Sequence, residues 1–449
     1  MRALGALAAI LGLLFAFPTF GQDLSREKPS PSRDLPADSI AVAPATTLAA
    51  TPAASPEFPA PLANPVRLDL TPRAASPEAP GIPDPEALSS SLRRGARAGD
   101  NKFEVWGRYN RVEGPAVLAS VTRRLDRKSY LPSYRIQFGY AFSAERGQYR
   151  VGFEQPVAPR NKLTVGAEGY RTFAPFFYAD EALSSGENSA SALLLHQDYW
   201  DWYEAEGVKG FLGIRPSPFL QVTFGLLRQD EASLGNHADW SLFNQEADFP
   251  DNPSVPEGEY RGAEATVVFD TRPRDDEGEF RPRGAWSSLE HWHRLSWERG
   301  DGGLGGDFDL WRLTADLRNY LRLAPSQVLS TRILAGTGDA GLALLPAGRR
   351  FEIGGLGTLR GHLYRSLAGD HVALANVQYA IGVGHRGWLL FFADAGTAWD
   401  QGGLFDQRVP VDLGTGFRIG HSGPTLLVAR TLSESDAEVR VQFRFQESF

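Results

Sequence analysis

From about residue 103 to the C-terminus, apolar and polar residues alternate along the chain. The last segment is the clearest: Val439, Val441, Phe443, Phe445 and Phe449 are apolar, and Arg440, Gln442, Arg444, Gln446 and Ser448 lie between them. Successive strand side chains point to opposite faces, so such a segment has one greasy face and one strongly polar face. The pattern recurs in Tyr134-Ile136-Phe138-Tyr140-Phe142 against Arg135 and Gln137, in Tyr149-Val151-Phe153 against Arg150 and Gly152, and in Leu220-Val222-Phe224-Leu226. It returns in Trp311-Leu313-Ala315-Leu317 and in Val411-Leu413-Thr415-Phe417-Ile419. A soluble β-sandwich also alternates. It has no need of charge on so many opposite positions over segments of about 9 to 11 residues, the length that crosses a bilayer at barrel tilt. No apolar run of about 18 residues occurs in this region, so helices do not span. Backbone polar groups in lipid must all be paired, which leaves a closed barrel.

The pattern predicts an all-β fold, a sixteen-stranded antiparallel transmembrane barrel. The expected strands are 112–123, 133–143, 147–156, 162–172, 190–204, 207–215, 219–228 and 260–270, then 285–295, 308–322, 327–337, 370–381, 387–398, 411–420, 424–431 and 437–449. With the chain starting in the periplasm, connections after odd strands are external. Those at 124–132, 229–259, 296–307, 338–369 and 399–410 are long, and 215–218, 323–326, 382–386 and 420–423 are short. One stretch conflicts with this scheme: 173–189 is long yet falls where a periplasmic turn is expected. Ten tryptophans suit interfacial belts, although a soluble core accounts for them equally well.

Ahead of the barrel the pattern changes. Met1-Arg2 precedes an uncharged apolar run from Ala3 to Phe17, and the small residues Thr19 and Gly21 follow, as in a secretory signal peptide. Residues 23–98 hold 14 of the 31 prolines and show neither a helical nor a strand period, as in a disordered linker. The expected organisation is a signal peptide at 1–21, a Pro/Ala/Ser-rich periplasmic linker at 22–102 and an outer-membrane barrel at 103–449.

Composition narrows the function. The chain has no cysteine, which excludes disulfides, zinc–thiolate and iron–sulfur sites, a thiol nucleophile and a lipoprotein anchor. Lys and Arg (46) do not outnumber Asp and Glu (54), so a nucleic-acid partner is not expected. His291 and His293 share one strand face with Glu290 nearby, a pairing that could serve as base or metal ligand. Trp286 and Trp292 have the opposite parity and are assigned to lipid, so the histidines are read as plain polar lumen residues. No Gly-x-Ser-x-Gly elbow accompanies them. No catalytic residue, metal or cofactor is expected.

Several motifs carry a family resemblance. Gly354-Gly355-Leu356-Gly357-Thr358-Leu359-Arg360-Gly361-His362 lies in the long connection before the twelfth strand, and Phe391-Phe392-Ala393-Asp394-Ala395-Gly396-Thr397-Ala398-Trp399 forms the thirteenth. With Asp270-Thr271-Arg272, Pro282-Arg283-Gly284 and a terminal Phe449, residues 103–449 resemble the bacterial surface antigen superfamily. These are the sixteen-stranded outer-membrane barrels that include BamA, TamA and two-partner secretion transporters. The resemblance implies that the loop folds into the lumen, where Arg360 pairs with Asp394. Gln378 stands where the family has a second acidic residue, and His362 where it has an aromatic one. Gly354, Gly355, Leu359 and Gly361 belong to the loop motif, Phe392 and Gly396 to the strand motif. Phe443, Phe445 and Phe449 resemble the family's insertion signal.

Residues 23–98 show no alternating strand and helix pattern of a POTRA module, so the chain resembles short members made of a barrel alone. Three functions follow. The first is assembly or translocation of proteins by edge pairing at an unzipped seam between first and last strands. The second is a passive channel or lipid-perturbing barrel, self-associating or not, with loop 338–369 as plug. The third is an outer-membrane hydrolase. Expected partners are outer-membrane lipids, the assembly machinery for the chain's own insertion, and protein clients.

Overall fold

The computed structural model describes residues 101–449 except 124–129, 160–161, 177–182, 245, 247, 273–288, 342, 385–386, 421–422, 434–436 and 445–449. The expected signal peptide, the expected linker up to residue 100, Pro282-Arg283-Gly284, Trp286, Phe445 and Phe449 therefore lie outside the described residues. One antiparallel sheet of sixteen strands dominates, each strand hydrogen-bonded to its sequence neighbours. In chain order these are β1 (Asn101–Asn110), β2 (Gly114–Arg123), β3 (Ser133–Ala141), β4 (Arg146–Pro156), β5 (Leu163–Pro175), β6 (Trp202–Ser217), β7 (Leu220–Ser233) and β8 (Gly258–Asp270). They continue with β9 (Leu289–Gly300), β10 (Leu310–Ala324), β11 (Gln327–Asp339), β12 (His371–Val383), β13 (Gly387–Trp399), β14 (Val411–Ile419), β15 (Thr425–Thr431) and β16 (Arg440–Arg444). Helix α1 (Ser185–Leu195) stands between β5 and β6. A two-stranded hairpin, Phe351–Ile353 with Leu367–Gly369, stands between β11 and β12.

The sheet is inverted relative to a soluble protein. Its apolar face is exposed, as at Phe138, Phe153, Leu226, Phe417 and Phe443, and its polar face is buried, as at Arg150, Glu168, Glu264, Asp316 and Asp394. An outward apolar belt around a polar lumen is the arrangement a membrane barrel requires. The hydrogen-bonded ladder ends at β1 and β16, and among the described residues no ladder joins these two strands. A seam therefore lies between them.

The structure corrects the expected strand list at two places whose errors cancel in the count. Asn101–Asn110, assigned to the linker boundary, is β1, paired with β2 over its whole length. The segment 190–204, expected as the fifth strand, is instead the second half of α1, a loop and the first residues of β6. Adding β1 moves every early connection by one. The 124–132 connection falls at the end of the sheet where even strands finish, not at the end where odd strands finish. The long stretch after Phe173 becomes an ordinary odd-strand loop, and the conflict noted in the sequence disappears.

Why α1 forms is visible locally. Ser184 caps it, accepting from the Glu187 amide while the Glu187 carboxylate accepts from the Ser184 amide, a reciprocal capping box. His196 ends it in the left-handed region at φ 60°.

Candidate functional site: a lumen loop anchored at both ends

The connection between β11 and β12, residues 340–370, carries the Gly-Gly…Arg-Gly motif. Two of its glycines have a backbone reason to be glycine: Gly354 and Gly355 hold φ of 125° and 76°, a region that side chains disfavour. These turns reverse the chain so that the Leu359 side chain is fully buried against Leu334, Phe351, Ile353, Val372 and Leu374. Thr358 fixes the turn through a hydrogen bond from the Gly354 amide, 2.8 Å to its Oγ1. Arg332 donates to the Gly357 carbonyl at 3.0 Å and pairs with Asp316, which also accepts from Arg318.

At the tip, Arg360 is buried. Its Nε lies 2.8 Å from one carboxylate oxygen of Asp394 and its Nη2 2.7 Å from the other, the two-pronged geometry a guanidinium makes with a carboxylate. The Nη1 donates to Gln378 Oε1 at 2.7 Å. The guanidinium carbon sits 3.6 Å from the centre of the Phe392 ring, close enough for a cation–π contact. Cross-strand register explains the convergence: Gln378 is opposite Phe392 and Asn376 is opposite Asp394, so all four crowd one patch of the inner wall. Asn376 then links that carboxylate to the loop, donating to Asp394 at 2.8 Å and to the Thr358 carbonyl at 2.7 Å.

The following residues reach three further strands. The Gly361 amide donates to Asp412 of β14 at 2.6 Å, and His362 Nδ1 lies 3.0 Å from the same oxygen. Gly361 is confined by neighbours: a Cβ there would meet the Thr431 nitrogen at 2.6 Å and Asp412 Cγ at 2.7 Å. Gln442 of β16 donates to the Arg360 carbonyl at 3.0 Å. Gly396 allows close approach of β12, since its Cβ would meet the Ala373 carbonyl at 2.7 Å.

The base of the loop is tied to the other side of the sheet. Arg349 pairs with Glu231 of β7 at 2.5 Å and with Glu298 of β9 at 2.9 Å, and stacks 4.3 Å over Tyr260 of β8. Arg312 donates to the Arg349 carbonyl at 3.0 Å. Arg365 pairs with Asp201, in the loop before β6, and with Glu352 at 2.8 Å. Sequence reasoning missed Arg349, Arg365, Asp412, Asn376 and Gln442. The available signal was parity, because each strand member of this set sits on the polar face of its strand.

The histidines require a correction. On β9 Glu290, Glu298 and Gly300 are buried, whereas Leu289, Leu295 and Trp297 are exposed, so His291 and His293 share the outward parity. His291 Nδ1 and His293 Nε2 both bond Asn319 Oδ1, at 2.7 and 3.0 Å, beside Phe269. Trp292 has the inward parity and lies 4.8 Å from the Arg318 guanidinium carbon. The expected lipid-facing position of Trp292 is thus reversed, and cation–π contact suits its ring to the polar face.

Comparison with known proteins finds two family models and several structures of similar fold. Residues 281–447 match the Omp85 superfamily domain, and residues 102–274 match the C-terminal domain of a family of unknown function, DUF5686. No curated protein matches the chain in sequence. Among solved structures, BamA from Haemophilus ducreyi lacking POTRA domains 1–3 is similar at 14% identity and a TM-score of 0.52, over 78% of this chain and 70% of that one. CdiB from Acinetobacter baumannii is similar at 14% identity and 0.41, CdiB from Escherichia coli at 10% and 0.40, each over 78% of this chain. The chain spans 59% and 62% of those two proteins. Residues 281–447 thus carry the Omp85 superfamily domain, within a sixteen-stranded sheet whose fold is similar to that of BamA.

Proposed function

We propose that the protein is an outer-membrane barrel that assists the insertion or translocation of other proteins, working at the seam between β1 and β16 and not through its lumen. The observation that supports this best is the loop 340–370, which ties β12–β16 through Arg360, Gly361 and His362 and β7–β9 through Arg349. A passive pore gains nothing from buried, charge-paired contacts laid across its own channel. In this reading Arg360, Asp394 and Gln378 form the lock of the loop on the lumen wall. The β1 edge offers main-chain groups to a client strand, the recognition mode of β-augmentation.

The remaining parts follow from the same reading. Residues 1–21 act as a secretory leader and the residues from 22 up to the start of β1 as a periplasmic linker. Phe443, Phe445 and Phe449 form the insertion signal read by the assembly machinery, and the loop end faces the cell exterior. The partners are lipids and protein clients. The hydrolase alternative loses its best candidates, because His291 and His293 face outward and share Asn319.

Single-channel conductance of the full-length chain in planar bilayers tests the proposal. The native barrel should be mostly closed, and Arg360→Ala should flicker open. Large, steady conductance of the native protein would instead favour a passive channel.

A further inference from the structure

Tyr109 is anomalous on β1. Its parity is that of the exposed belt residues Phe103 and Val105, and it faces Pro115 across the ladder, yet it is only 7% exposed. What covers it comes from two other loops: Ala192 of α1 and Phe249 pack against its ring. Its hydroxyl donates to the Trp240 carbonyl. Its amide, on the free edge of β1, donates to Ser189 Oγ of α1 at 3.1 Å.

Two residues earlier in the same helix, Glu187 lies 3.5 Å from Arg444 of β16. Helix α1 thus touches both edge strands of the seam. It is also joined to the loop before β8: the Leu242 and Phe243 amides donate to the Leu193 and Leu194 carbonyls at 2.8 and 3.0 Å, and His196 bridges Ser241 and Asp239.

This unit leaves an apolar ridge uncovered. Leu193, Leu195, Trp240, Leu242 and Phe243 are from 37% to 59% exposed. The ridge continues from the cover over Tyr109, whose own face is the lipid-facing belt, and it carries a tryptophan at the loop end of β1, where barrels place interfacial aromatic residues.

We propose that α1 and residues 239–243 form a wedge set in the β1–β16 seam, whose ridge docks into the lipid interface beside β1. The proposal rests on the reading of the barrel as membrane-spanning. A strand added to the upper edge of β1 must displace Ser189 from the Tyr109 amide, so the wedge guards the edge that the proposed function uses.

The chain has no cysteine, so single substitutions accept one label each. Leu193→Cys and Leu242→Cys, with Phe138→Cys in the belt and Phe405→Cys in the exposed 400–410 loop as references, are labelled in the full-length chain with an environment-sensitive fluorophore. They are then reconstituted in phosphatidylcholine vesicles carrying a spin-labelled lipid. Quenching at 193 and 242 should match that at 138 and far exceed that at 405. Quenching at 138 alone, with 193 and 242 behaving like 405, overturns the docking of the wedge and leaves the membrane barrel intact. A probe at 193 or 242 shielded from both lipid and aqueous quenchers overturns it in favour of a second protein copy. Absence of quenching at 138 overturns the membrane reading and the proposal with it.

Discussion

At the residue scale, the pair Arg360 and Asp394 dominates. Asp394 is 1% exposed, so deleting the guanidinium leaves a buried carboxylate held by Asn376 and the Arg360 amide alone. Breaking a buried ion pair costs about 3 to 5 kcal/mol, and Arg360→Ala should show that loss as easier proteolysis of the 340–370 loop. Unchanged cleavage rates would mean that Leu359 and the glycine turns hold the tip unaided. Gln378 gives a test of opposite sign. Its Oε1 already receives Arg360 Nη1 at 2.7 Å, and charge-assisted hydrogen bonds are roughly twice as strong as neutral ones. Gln378→Glu should therefore slow proteolysis of the loop; faster cleavage would show that repulsion between carboxylates outweighs the new pairing. Arg360 and Asp394 were legible because an arginine flanked by glycines and an aspartate on a polar strand face stand in a recognisable motif. The outward placement of His291 and His293 was not, because residue type misled: parity relative to Leu289, Leu295 and Trp297 decides the face, and all three are apolar.

At the scale of elements, fifteen of the sixteen strands overlapped alternating segments of the sequence, and the exception is instructive. In β1 the outward positions Phe103, Val105 and Tyr109 are apolar, but Gly107 interrupts them and Trp106 occupies the polar face. The alternation is therefore too broken to mark a strand there, and the first expected strand begins only at 112. Helix α1 was hidden for a different reason: Ala192-Leu193-Leu194-Leu195 runs on towards the aromatic start of β6, and the Ser184…Glu187 capping signature that marks a helix went unused. The loop beneath α1 has its own electrostatic signature. Asp198 lies outside the strands, and burial pushes its carboxyl up from the ordinary range, against the pull of Arg111 and of hydrogen bonds from Asn188 and the backbone. An acid raised on folding contributes stability that is complete below the unfolded carboxylate value of about 4 and is lost as pH rises through the folded value. Hydrogen exchange in residues 185–201 should thus be slowest at acid pH and quicken as pH rises through that value, after allowing for intrinsic exchange rates. Asp198→Asn should flatten the dependence. A profile that runs the other way would show that pairing with Arg111 prevails over burial.

For the whole molecule, the two anchors of the loop set what a pore measurement can reveal. One anchor, around Arg360, grips β12 to β16, and the other, Arg349, grips β7 and β9 with Tyr260 stacked between. The contacts described for the two anchors fall on different strands, and energetic effects at sites without shared partners add. A loop freed at one end stays tethered by the other and returns, so Arg360→Ala or Arg349→Ala alone should give brief openings. The double variant has neither grip and should hold the channel open, with a dwell time longer than the two single variants together predict from additive free energies of closing only if the anchors cooperate. A double variant as closed as either single one would place the block elsewhere in the lumen, with the ion-paired wall around Asp316, Arg318 and Arg332 the first place to look. In that event closure is a property of the wall, and the loop's contacts serve chiefly to brace β12 to β16 near the seam.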